Sequence, residues 1–409
     1  MKKKLLVAQS GGPTAVINSS LAGVVDYALK CGEFSGVIGS INGIEGVFNE
    51  NFIDMEKFRE DKRIKILKQT PSSYLGSCRR KLENNDCVYE EIFNIFDKHN
   101  IGAFVYIGGN DSMDTVNKLS FYASSHRKDV TVTGVPKTID NDLVLTDHTP
   151  GYGSCAKYIA NSIRQLSLDT AVYDMQSVII AEIMGRNAGW LTAAAALAND
   201  GSVSPVDIIC MPEVPFEIDK FLNKTAEVLK SKSSTIIAVS EGICDKNGNY
   251  VTAGLDDRSK DDGFAHAALG GVGRYVESLI KSELGVKTRT IEFSTLQRCN
   301  SETASLCDVE EAFRQGEYGA KLASEGVDGV MVGITRGDGE YNPTITSFPI
   351  GEIANKEKKM PETMLGADGF SVTDEYIKYA SPLIAGQPEI IYKNGIMQFE
   401  VRRISVRQC

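Results

Sequence analysis

The sequence predicts an α/β protein whose mainly parallel sheets are covered by helices on both faces, and three observations carry that reading. Short apolar runs such as Leu5-Leu6-Val7-Ala8 and Phe104-Val105-Tyr106-Ile107 alternate with longer amphipathic segments, the grammar of strand and crossover helix. The runs show no polar face, as expected of parallel strands buried on both sides. The length of 409 residues corresponds to about two to three domains, enough for a large core.

The first unit is a strand over Leu5 to Ala8, a turn at Ser10-Gly11-Gly12-Pro13, and a helix from Thr14 to Leu29 that stops near Gly32. The same order returns with a strand at 104–107, the turn Gly108-Gly109-Asn110-Asp111, a helix from Ser112 to Ala123 and a strand over Val130 to Val135. Further strands are expected at 178–183, 206–210, 235–239 and 327–334, interleaved with helices near 153–168, 187–199, 218–231 and 308–325. Asp308 reads as the cap of the last helix, with Glu310 and Glu311 in its first turn and Gly326 as its stop. The polar stretch from Gly242 to Gly263 reads as a surface loop, and the residues beyond about 340 as an added tail of irregular structure.

Composition narrows the chemistry. A net charge of −10 argues against a broad surface for nucleic acid or anionic lipid, so any polyanion must meet a local site. The nine cysteines are scattered without a C-x-x-C pair, which fits reduced thiols in the cytoplasm. No run approaches the roughly 18 apolar residues of a membrane span, and the apolar start is too short for a signal segment. None of the four histidines sits where a triad or zinc site needs one, which leaves the work to carboxylates and arginines.

Ser10-Gly11-Gly12 before a helix can bare its N–H groups to a phosphate, although a tight turn explains it equally well. No Gly-Lys-Ser/Thr follows, so it is not a Walker loop. Gly108-Gly109-Asn110-Asp111-Ser112 adds a carboxylate able to hold Mg²⁺, against the alternative of a solvated turn. Pro136-Lys137-Thr138-Ile139-Asp140-Asn141-Asp142 places a cation, a hydroxyl and two carboxylates at a strand end, where an Asp can take a proton from a substrate hydroxyl. An Asx-rich turn is its bland counterpart. Met184-Gly185-Arg186 offers a guanidinium fork for phosphate or carboxylate, or a surface ion pair. Arg79, Glu241, Arg289 and Arg298 are further candidates of the same kind.

In this order, together with Leu75-Gly76-Ser77-Cys78-Arg79, Ser240-Glu241-Gly242 and Leu296-Gln297-Arg298, these segments resemble the phosphofructokinase family from near residue 4 to near 340. The resemblance implies two Rossmann-like domains with the active site in the cleft between them. Residues 1–149 with about 301–345 would take the phosphoryl donor and Mg²⁺, and 150–300 with about 346–409 the sugar phosphate. The implied reaction is transfer of a phosphoryl group to the 1-hydroxyl of fructose 6-phosphate, a step of glycolysis and gluconeogenesis, by a cytoplasmic homodimer or homotetramer that uses neither nucleic acid nor membrane. By the family pattern Asp140 is the base, flanked by Thr138 and Asp142. Ile139, Met184, Gly185, Arg186, Glu241 and Thr295 hold the sugar, Arg298 its 6-phosphate, and Gly12 and Arg79 face the transferred group.

Two positions speak to the donor. Asp111 and Lys137 stand where ATP-using members usually carry glycines, and the pair resembles the pyrophosphate-dependent branch. A carboxylate against a nucleotide's α-phosphate would repel it by about 4 kcal/mol at 4 Å and an effective dielectric near 20. Lys137 would stabilise charge on a leaving phosphate. Asn110 replaces an Asp that ligates Mg²⁺ in many relatives, leaving Asp111, Asp140, Asp142 or water for the metal. Thr295 and Ser177 replace a His and an Arg of bacterial ATP-dependent members, and Ala22 and Asp26 replace two arginines that bind allosteric phosphates, so nucleotide control is expected to be lost. NAD and lipid kinases share a Gly-Gly-Asp loop but not the downstream motifs. An ATP-dependent kinase and a non-catalytic sugar-phosphate sensor remain the alternatives.

Overall fold

The computed structural model describes residues 2–199, 201, 204–253 and 271–402. Its strands are β1 Lys4–Gln9, β2 Val37–Ser40, β3 Phe52–Asp54, β4 Ile101–Gly108, β5 Thr131–Pro136, β6 Ser177–Ile183, β7 Ile208–Cys210, β8 Ser234–Ser240, β9 Lys287–Glu292, β10 Val330–Arg336, β11 Pro343–Pro349, β12 Tyr392–Lys393 and β13 Ile396–Met397. The helices are α1 Ile17–Lys30, α2 Gly43–Phe48, α3 Asp61–Gln69, α4 Asp86–Lys98, α5 Asn110–Ser125, α6 Tyr152–Thr170, α7 Trp190–Ala193, α8 Ile218–Ser231, α9 Val272–Leu284, α10 Leu296–Cys299, α11 Leu306–Ser324 and α12 Asp374–Ala380.

Two sheets form the frame. A seven-stranded sheet runs β11-β10-β5-β4-β1-β2-β3, and a four-stranded sheet runs β7-β8-β6-β9. Every pairing in them is parallel except the two outermost of the larger sheet, β10 with β11 and β2 with β3. Both faces are covered, which is why the strands read as unbroken apolar runs. On β1, Leu5 and Val7 join the core under α1, while Leu6 and Ala8 join the one under α5. The helices that follow β1 and β4 thus leave for opposite faces, and a crevice opens at the carboxyl ends of these neighbouring strands.

Several expected boundaries move for identifiable reasons. α1 starts at Ile17 rather than Thr14, because Thr14 turns back to accept a hydrogen bond from Val16 N–H (3.2 Å). α11 is capped by Ser305, not Asp308. Asp308 instead accepts from Gly151 and Ser154 N–H (2.9 and 2.8 Å), serving the start of α6. Gly326 ends α11 at φ +73 as expected. The helix expected at 187–199 shrinks to α7 with a following 3-10 turn. Residues 242–253 form turns, and the rest of the expected surface loop lies outside the described residues. The tail is more ordered than its sequence promised. β11 joins the larger sheet, residues 360–383 pack on the core of the smaller one, and the segment after 391 returns to α3.

α1 and α11 cross closely enough that a Cβ on Gly23 would stand 2.0 Å from Phe313 O, and one on Gly316 2.0 Å from Ser20 O. Nearby, buried His148 lies between Asp147 (Nδ1 to Oδ2, 2.7 Å) and Glu311 (Nε2 to Oε2, 2.6 Å). Burial opposes the charge, but the bonds to both carboxylates outweigh it and push the pKa up to about 9. Above the ordinary histidine value near 6.5 this contribution begins to fade, and it is lost as pH rises through about 9. His148→Gln, which leaves Glu311 without its cation and Asp147 with Arg336 alone (2.9 Å), is expected to cost about 3 kcal/mol at neutral pH. Urea unfolding at pH 6.5 and 9.5 checks this; a wild-type-to-variant gap that does not shrink with pH would remove His148 from the role.

Candidate active site

The carboxyl ends of both sheets open onto a cavity of about 760 Å³. On one side the chain leaves β1 through Gly11 and Gly12. Gly11 sits at φ +76, and a Cβ there would meet Lys137 Nζ at 3.0 Å, so both the turn and the close lysine require glycine. Lys137 follows β5, is 2% exposed, and donates to Gly12 O at 2.5 Å. Burial pulls its pKa down to about 8, against the pull of Asp140 and Asp142.

α5 begins at the end of β4, and its first residues, Asn110 to Ser112, line the cavity, a place suited to an anion. Asp111, in its first turn, pairs with Lys81 at 2.9 Å. Asn110, at the same helix start, lines the cavity and also bonds the tail. Its Oδ1 accepts from Asn355 N–H (2.7 Å) and its Nδ2 donates to Lys356 O (2.6 Å). Both ends of the amide bond the tail, so Asn110 holds that segment against the start of α5.

Beyond Lys137 the chain folds tightly. Thr138 Oγ1 accepts from Asp140 N–H (3.1 Å) and reaches Asp140 Oδ2 at 3.4 Å. Burial and the charge of Glu241 raise the Asp140 pKa, and burial with the Asp140 charge pushes Asp142 up to about 7. Asp142 Oδ1 is buried with no hydrogen-bond partner. An orphaned carboxylate oxygen close to a second, half-buried carboxylate is a place that a hard dication fits. Among the described residues no cluster of three or more metal-binding side chains exists, so such an ion would draw its remaining oxygens from substrate and water.

Across the cavity, Glu241 after β8 accepts from Gly185 N–H at 3.3 Å and orders the Met184-Gly185-Arg186 turn after β6. Gln297 Oε1 accepts from Met184 N–H (3.3 Å). Arg298 reaches back over the cleft, its Nη1 3.5 Å from where a Cβ on Gly12 would stand.

The cavity therefore gathers Gly12, Arg79, Asn110, Asp111, Lys137, Thr138, Ile139, Asp140, Asp142, Met184, Arg186, Glu241 and Arg298. Gly185 contributes from behind, through its bond to Glu241. Thr295, expected at the sugar, is exposed and precedes the single turn α10 that aims Arg298 inward instead. Lys81 and the segment Asn355 to Glu357 line the cavity without having been anticipated. Lys81 had a signal in the basic run Arg79-Arg80-Lys81. Asn-Lys-Glu-Lys-Lys at 355–359 had none, since such a run ordinarily marks a solvated face.

Comparison with known proteins agrees with this geometry. The family description Phosphofructokinase matches residues 4–321. The pyrophosphate–fructose 6-phosphate 1-phosphotransferase of Methylococcus capsulatus is 39% identical over 96% of this chain and 94% of its own length. The protein of the same name from Xanthomonas campestris pv. campestris is 40% identical, over 95% and 93%. The crystal structure of a pyrophosphate-dependent phosphofructokinase from Nitrosospira multiformis superposes with a TM-score of 0.89 at 36% identity, covering 98% of this chain and 96% of that one. With the family's segments in order along the chain and its cleft assembled from both sheets, this protein belongs to the phosphofructokinase family.

Proposed function

We propose that the protein transfers a phosphoryl group from pyrophosphate to the 1-hydroxyl of fructose 6-phosphate, giving fructose 1,6-bisphosphate and phosphate. The observation that carries the donor assignment is Lys137, a buried ammonium directly beneath the Gly11-Gly12 turn, with Asp111 at the mouth of the same pocket. The larger sheet with its loops is the donor side, and the turns after β6 and β8 are the sugar side.

In this reading Asp140 takes the proton from the 1-hydroxyl as its oxygen attacks phosphorus, and the bond to the bridging oxygen of pyrophosphate breaks. Lys137 balances charge on the departing phosphate, while Gly12 and Arg79 face the group in flight. Met184, Arg186 and Glu241 orient the sugar, and Arg298 meets its 6-phosphate. Mg²⁺, held by Asp142 and Asp140 together with donor oxygens, would neutralise charge on the phosphates when bound. A coupled assay of fructose 6-phosphate and Mg²⁺ with pyrophosphate or ATP tests the proposal; activity with ATP alone would reverse the donor assignment.

Self-association as a dimer or tetramer is part of the same reading. It is supported by the exposed apolar residues Leu168, Val172 and Tyr173 (70%, 70% and 63%), and sedimentation of the purified protein tests it. A cytoplasmic location fits the free cysteines, and no helix among the described residues is long and apolar enough to cross a membrane.

Nucleotide control is expected to be absent. Ala22 is fully buried, and Asp26 pairs with Lys30 one turn on at 2.6 Å, so neither position offers a cation to a phosphate. Without a site that binds one state better, an effector has no coupling to exert. Saturation curves for fructose 6-phosphate should not move on adding ADP or phosphoenolpyruvate, and a several-fold shift would contradict this.

A further inference from the structure

Three loops of the proposed donor side are held by residues that come last in the chain. Asn355 and Lys356 take the amide of Asn110. Gln69, ahead of the Arg79 loop, bonds the backbone of Ile391 and Gln398. The most closely engaged tail residue is Lys358, which grips the loop carrying Asp140.

Lys358 N–H donates to Asp142 O at 2.7 Å. Its ammonium donates to Asp147 O (2.8 Å) and Thr146 O (3.2 Å) and reaches Asn141 Oδ1 at 3.4 Å. The same ammonium stands 5.2 Å from the centre of the Trp190 ring, whose Nε1–H donates to Lys358 O (3.3 Å). Trp190 follows the Met184-Gly185-Arg186 turn, so one residue is tied to both sides of the cavity. Asn141 lies between the two carboxylates at φ +56, a backbone region a non-glycine residue keeps only when its surroundings enforce it. Here they are Lys358, Thr149 N–H on Asn141 Oδ1 (3.2 Å) and the Tyr379 hydroxyl, which accepts from Asn141 Nδ2 (2.8 Å).

We infer that Lys358 is a positioning residue for phosphoryl transfer: its ammonium fixes Asn141 and so sets where the flanking carboxylates of Asp140 and Asp142 stand relative to the sugar side. The cavity lining ends at Glu357, one residue short of Lys358, so this residue acts through the loop and not on substrate. The inference rests on the reading of Asp140 as proton acceptor. Misplacing a reacting group by about 1 Å costs on the order of 10²-fold in rate, whereas Met184, Arg186, Glu241 and Arg298, proposed to bind the sugar, lie on other loops.

The test uses the full chain with Lys358→Met, Lys358→Arg and Tyr379→Phe, and Lys359→Met, an exposed neighbour, as the control. Lys358→Met should lower kcat with pyrophosphate by about 10²-fold while both KM values stay within about twofold. Lys358→Arg should recover part of that loss. Tyr379→Phe, which removes the hydroxyl that accepts from Asn141 Nδ2 and itself donates to Asp147 O (2.8 Å), should lower kcat several-fold at unchanged KM with at most a modest fall in Tm, and it decides the matter if Lys358→Met does not fold. Wild-type kcat in Lys358→Met, a KM increase that accounts for the whole loss, or a fully active Tyr379→Phe would overturn the inference. A wild type inactive with pyrophosphate but active with ATP would overturn the donor reading alone, and the same comparison then runs with ATP.

Discussion

Asp140→Asn is expected to lower turnover by about 10²–10⁴-fold, the range lost when a positioned proton acceptor is removed. Affinity for fructose 6-phosphate should change little, because Met184, Arg186, Glu241 and Arg298 lie on other loops. The amide keeps the shape of the side chain, and the bond from residue 140 N–H to Thr138 Oγ1 (3.1 Å) belongs to the backbone, so the turn should persist. Asp140 and Asp142 are half-buried like charges in one loop, and neutralising one relieves the other. The variant should therefore unfold at the same temperature as wild type or higher. Steady-state kinetics, sugar-phosphate titration and thermal unfolding together check the prediction. Retention of more than about a tenth of wild-type turnover would exclude Asp140 as the base, and a large fall in Tm would assign the loss to folding.

The donor exchange is the second large effect. Lys137→Ala should reduce kcat with pyrophosphate by about 10²–10³-fold, more than it weakens binding, because the ammonium serves charge that develops on the leaving phosphate. In the free enzyme Lys137 loses its proton as pH rises through about 8. kcat/KM for pyrophosphate should fall above that pH, and the falling limb should vanish in the alanine variant. At Asp111 the repulsion of a nucleotide is weaker than its bare charge implies. Its side chain is 47% exposed and paired with Lys81, so solvent and a countercharge reduce the 4 kcal/mol repulsion to about a third or less. Bulk thus shares the exclusion of ATP with charge. Asp111→Gly should raise kcat/KM for ATP by about tenfold, at 1.4 kcal/mol per decade, and leave a poor enzyme with either donor. The double variant with Lys137→Gly should favour ATP by more than the product of the singles, since the two line one pocket. Specificity constants of the four proteins with both donors decide it. Equal or better use of ATP by the wild type would refute the assignment.

How far the sequence could be read depended on whether a feature was local. The turns after β1 and β4 and the Thr138 to Asp142 segment were legible because glycine, hydroxyl and carboxylate at short spacing record the backbone path itself. Asp308 misled because an acid near a helix start is a cap by local rules, while its actual partners, Gly151 and Ser154, stand at a helix start far away in the chain. Thr295 was placed by position in a motif, but a single helical turn can aim only one face inward, and Gln297 and Arg298 occupy it. Lys358 was illegible for the same reason as Asp308. A lysine within a charged run shows nothing of the carbonyls it will meet, and those are chosen by the packing of the tail against loops made more than 200 residues earlier.

The close crossing of α1 and α11 has a consequence for synthesis. The larger sheet takes its first strands from the beginning of the chain, yet α11 and β10, which cover and extend it, emerge only after the whole smaller sheet has been made. While the ribosome is still translating that insertion, one flank of α1 and the open side of β5 have no native neighbour. Contacts so distant in sequence close slowly, and unpaired strand edges invite association between nascent chains. The part of the molecule that is born first thus waits for most of the chain, and through that interval its open edges face other nascent chains.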